Sequence, residues 1–73
     1  MDPATLDSVL LNHLTLMRER LDQASALGQA AEACGTAGNI PKAIEIALDV
    51  EQLAYEAETL LNAASLINRI GRT

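Results

Sequence analysis

The sequence predicts an all-α fold: a long antiparallel helical hairpin that pairs with a second copy as a homodimeric four-helix bundle. Three observations predict it. Two glycines and a proline gather in one decapeptide, "CGTAGNIPKA", from Cys34 to Ala43. On either side of it, apolar residues recur at alternating spacings of three and four, the period of one helical face. The 73-residue chain holds a single cysteine and a single histidine, so neither disulfides nor a ligand-rich metal site supplies the core that so small a domain lacks.

The first helix is expected over residues 3–34. Asp2 is an N-cap type and Pro3 stands where a helix tolerates proline. Leu10, Leu14, Met17, Leu21, Ala24, Gly28, Ala31 and Gly35 then form a seam whose residues shrink toward the turn. Gly28 costs on the order of 1 kcal/mol relative to Ala, which makes 25–28 the place where this helix would break. The turn is expected over 35–39: Gly35 or Gly38 supplies the left-handed C-cap and Asn39 caps the next helix. Pro41 falls in the first turn of that helix, where its missing N–H costs nothing.

The second helix is expected over 40–70, stopping at Gly71, with Arg69 and Arg72 near the negative end of its dipole. It carries two apolar seams. One is Ala43, Ala47, Val50, Ala54, Ala57, Leu61 and Ala64; the other is Ile46, Val50, Leu53, Ala57, Leu60, Ala64 and Ile67. Folding back at the turn brings together positions whose numbers sum to about 75, so that large residues meet small ones. This register also brings Arg18 and Arg20 toward Glu56 and Glu58, and Asp2 and Asp7 toward Arg69 and Arg72. Two helices of about 30 residues, some 45 Å long, leave the second seam for another chain. Ile46, Val50, Leu53, Ala57, Leu60, Ala64 and Ile67 are therefore the expected dimer or partner interface.

Composition narrows the function. A net charge of −5 argues against nucleic acid and anionic membrane surfaces as partners. With no Phe or Trp and only Tyr55, the aromatic platforms that bind bases, sugars and planar cofactors are missing, and no cofactor is expected. No apolar run reaches the roughly 18–20 residues of a membrane span. The opening "MDPATLDSVL" lacks a basic stretch followed by a cleavage site, so a cytoplasmic setting is expected.

No catalytic or metal set assembles. His13 has Val9, Leu10, Leu16 and Met17 at helical spacing, none of them a ligand, and reads as a boundary histidine. Cys34 has no nearby cation before Lys42 and reads as structural. Tyr55 reads as a seam-edge residue or an interface anchor. The distinctive polar feature is acidic: residues 42–58 hold five acids against one lysine. Glu45, Asp49 and Glu56 share a face, which is either a solvated surface or a docking stripe for a basic partner.

Within the turn, "AGNIPKAIEIA" resembles the inter-helix turn of a tetratricopeptide repeat, with Gly38, Asn39, Ile40, Ala43 and Ile44 at matching positions. That resemblance implies a helix-turn-helix and a protein-binding role. In architecture the hairpin is also similar to small hairpin proteins of bacterial secretion machinery, which implies a seam covered by a partner. The expected function is a small non-enzymatic interaction or regulatory module that self-associates. The alternatives are a chaperone or subunit completed by a different protein, and an acidic decoy for a nucleic-acid-binding protein.

Overall fold

The computed structural model describes residues 1–72 as two helices, α1 (Pro3–Thr36) and α2 (Ile40–Gly71), packed antiparallel into a rod of 54 × 15 × 10 Å. α1 begins where Asp2 caps it, its carboxylate accepting from the Thr5 N–H at 3.1 Å, with Pro3 at the first helical position. It runs unbroken through 25–28. It also continues two residues past the expected stop, so Gly35 lies in its last turn. Among the described residues Gly38 alone takes the left-handed conformation, at φ +96°, with its N–H donating to the Gly35 carbonyl at 2.9 Å and the Asn39 N–H to the Cys34 carbonyl at 3.1 Å. Asn39 then caps α2 through the Lys42 N–H at 3.2 Å. An L side chain at a left-handed φ costs about 1–2 kcal/mol. Gly38→Ala is accordingly expected to lower the thermal midpoint, whereas an unchanged midpoint would show that the turn relaxes freely.

The helices close on each other along one seam each. On α1 it passes through Leu6, Leu10, His13, Met17, Arg20, Ala24, Leu27 and Ala31, all buried or half-buried. On α2 it passes through Ala43, Ile46, Val50, Leu53, Ala57, Leu60, Ala64 and Ile67, equally covered. This corrects the expected division of labour. The seam of Ile46, Val50, Leu53, Ala57, Leu60, Ala64 and Ile67, assigned from sequence to a second chain, is the one that α2 turns toward α1. Leu14, Leu21 and Leu61, assigned to the hairpin's own seam, are exposed.

The reason is area. Columns 46/53/60/67 and 47/54/61 flank the same central row, and enclosing Ile, Leu, Leu and Ile removes more apolar surface from water than enclosing Ala, Ala and Leu. The choice brings His13 and Arg20 to the seam, and both are satisfied there. The His13 ring Nδ1–H donates to the Val9 carbonyl at 2.9 Å, and Arg20 reaches Glu56. Among the described residues no buried side-chain nitrogen or oxygen lacks a partner.

The fully buried core is thin: Leu6, Ala31, Ala43, Ala57 and Ala64. Among the described residues Leu6 is the only large one, 1% exposed. It lies over Gly71 so closely that a Cβ on that glycine would stand 2.8 Å from the Leu6 Cδ1. The open end of the hairpin is thus sealed by one leucine seated on one glycine. Among the described residues no helix is long and apolar enough to cross a membrane.

Candidate interaction surface

Among the described residues, ion pairs between the helices occur at two levels. Near the open end the Arg72 guanidinium meets the Asp7 carboxylate at 2.7 Å, and midway along the rod Arg20 Nε meets Glu56 Oε1 at 2.9 Å. Both pairs fall where the expected register put them. Arg18 instead turns along its own helix to Asp22 at 2.7 Å, and Asp2 is used in the cap. These pairs are half-exposed, worth about 0–1 kcal/mol each, and serve to fix register.

The acidic face is less free than its sequence suggests. Glu45 lies 3.4 Å from Lys42 Nζ. Glu56 accepts from Gln52 at 3.1 Å as well as from Arg20, leaving Asp49 as the member of the trio outside the ion pairs of the described residues. Hydrogen bonds from Gln52 and then Arg20 hold the Glu56 carboxyl below its usual range. A carboxyl depressed in the folded state contributes stability above its unfolded pKa, and that contribution is lost as pH falls through the folded value. Glu56→Gln should therefore flatten the acid limb of the stability profile. An acid limb as steep in Glu56→Gln as in the native chain would show that this carboxyl does not link pH to folding.

Chemistry-bearing residues do not converge. Among the described residues no group of three or more His, Cys, Asp or Glu side chains could hold a metal ion. Among the described residues no side-chain hydrogen bond links His13, Cys34 or Tyr55 to an acid or a base. Cys34 is a half-buried free thiol near the turn. Tyr55 stands on the outer row of α2, 65% exposed, beside an open recess that it lines with Leu48, Glu51 and Gln52.

The surface feature that sequence reasoning misassigned is apolar. Leu11, Leu14 and Leu21 on α1 and Ile40, Ile44 and Leu61 on α2 are all exposed, with Gly28, Ala47 and Ala54 exposed among them. Helical spacing sets each group along one flank of its helix. Contacts at both ends show that the two flanks adjoin: the Asp7–Arg72 pair lies on this side, and a Cβ on Gly35 would lie 3.6 Å from the Ile40 Cδ1. The signal was present in the sequence as the first of the two α2 seams, read there as inward-facing.

No family model, curated protein or solved structure matches the chain.

Proposed function

We propose that this protein is a small, non-enzymatic protein-interaction module whose hairpins self-associate into a four-helix bundle. The observation that carries the reading is surface area. A compact folded chain of this mass presents about 4300 Å²; the hairpin presents 5100 Å². The excess, roughly 800 Å², is what one partner gives up in an interface of standard size. The thin core supports the same reading, because four of its five fully buried residues are alanines and chains this short usually draw on a partner for missing core.

Binding through the acidic face is the weaker reading, since Glu45 and Glu56 are already engaged by Lys42 and Arg20. The test is denaturation over a range of protein concentrations. A self-associating hairpin should unfold at a midpoint that rises with concentration by mass action. A midpoint independent of concentration, in a cooperatively folded chain, would reject self-association.

A further inference from the structure

We infer that the second copy docks on the flank formed by Leu11, Leu14 and Leu21 of α1 with Ala47, Ala54 and Leu61 of α2, about a two-fold axis running along the rod. The inference rests on the self-association proposed above and adds the face, the symmetry and a specific cross-pair. Leu11, Leu14, Leu21 and Leu61 are 65, 44, 48 and 50% exposed, so each retains a large apolar area for a partner to cover. Between the leucines and Ile44 the row nearest the hairpin seam holds small exposed residues, Gly28, Ala47 and Ala54, so a second helix can approach closely at those positions.

The other surfaces fit a second copy less well. The opposite flank carries Glu19, Glu45, Asp49 and Glu56, and two such faces brought together would set like charges against each other. On the outer row of α2, Leu48 and Tyr55 are followed one and two heptads on by Asn62 and Arg69, so the apolar stretch is short. The outer row of α1 is polar, with Ser8, Thr15, Asp22 and Gln29.

An axis along the rod sets α1 of each copy beside α2 of the other. Every neighbouring pair of helices then runs antiparallel, the arrangement of up-down bundles. Residues level across the new contact follow the register of the hairpin itself, in which Arg20 meets Glu56. The same sum, 76, pairs Arg18 with Glu58 of the second copy and Ser25 with Glu51 of the second copy. Arg18 and Glu58 are of opposite charge, and Glu58 enters no ion pair among the described residues of the hairpin. Arg18, which meets Asp22 along its own helix, is exposed and would be shared with Glu58 across the contact. The cross-pair occurs twice by symmetry, and no like-charged pair faces it at the neighbouring levels of Leu11 with Ser65 and Glu32 with Ile44.

Disulfide trapping tests the face directly. Two full-length chains, both Cys34→Ser, carry Ser25→Cys in one and Glu51→Cys in the other; they are mixed and oxidised. Cross-linked heterodimer is expected to form about tenfold or more faster than either chain cross-links with itself, because the bundle holds the two thiols at high effective concentration. A control mixture carries Ala26→Cys and Gln52→Cys on the acidic flank. Preferential trapping there, with a dimeric mass in solution, would overturn this face while leaving self-association standing. Trapping in neither mixture together with a monomeric mass would overturn both.

Discussion

Leu6→Ala is expected to cost about 2–3 kcal/mol, in the lower part of the range of about 2–5 seen for buried leucines, because helix ends collapse more readily than a central core. The hairpin has little stability to lose. A chain of this length has on the order of 4–11 kcal/mol in total, and each kcal/mol moves the midpoint of so small a domain by about 4–8 °C. Leu6 is the only large side chain fully buried among the described residues, and it is seated on Gly71. Its loss frees the last turn of α2 from the first turns of α1. A fall of about 8–24 °C in the thermal midpoint at fixed concentration is the predicted result. A fall smaller than that produced by Leu11→Ala, at an exposed position, would show that the open end of the rod is frayed and that Leu6 does not seal it.

Replacing Leu53 and Leu60 together by Asp is expected to abolish the folded hairpin. Both side chains lie in the seam that α2 turns toward α1. Burying an unpaired carboxylate there costs several kcal/mol on top of the apolar burial forfeited at each position. The two losses together match the whole stability of such a chain. Circular dichroism at micromolar concentration should show the helical signal collapse and no cooperative transition on heating. Retention of full helicity with a halved mass would place these leucines between copies, contrary to the packing described here.

These two substitutions also mark what could be read from the chain and what could not. The turn and both caps were legible because their chemistry is local. Asp2 with Pro3, Gly38 and Asn39 each have a backbone role that few other residues fill. The end of α1 was placed two residues early because Gly35 carries the same cap signal as Gly38, and only the observed φ distinguishes them. Register was legible to within a few residues, and with it the Asp7–Arg72 and Arg20–Glu56 pairs.

Which of two adjoining columns faces inward was not legible. Leu14 and Leu21 look more like core than His13 and Arg20 when α1 is read alone. The decision is made by the partner helix, whose Ile46, Leu53, Leu60 and Ile67 column brings enough apolar area to carry two polar residues into the seam, each with an acceptor waiting. Leu6 is legible in the spacing itself, since one step of four residues back from Leu10 extends the α1 seam to it.

Once the larger aliphatic column is consumed inside the hairpin, the smaller one is left on the surface, joined to Leu11, Leu14 and Leu21. The exposed face therefore combines a few leucines with alanines and a glycine, a composition suited to close helix packing. Glu45, Asp49 and Glu56 lie on the opposite side, where Glu56 and Glu45 are tied to Arg20 and Lys42, and a dimer through the leucine flank would leave these three in solvent.

Self-association is tested most directly by the solution mass of the purified full-length chain, measured by sedimentation equilibrium across a concentration series at neutral pH. Twice the chain mass of 7.7 kDa, dissociating toward the monomer on dilution, is the predicted result. A well-folded helical monomer at all concentrations would contradict it.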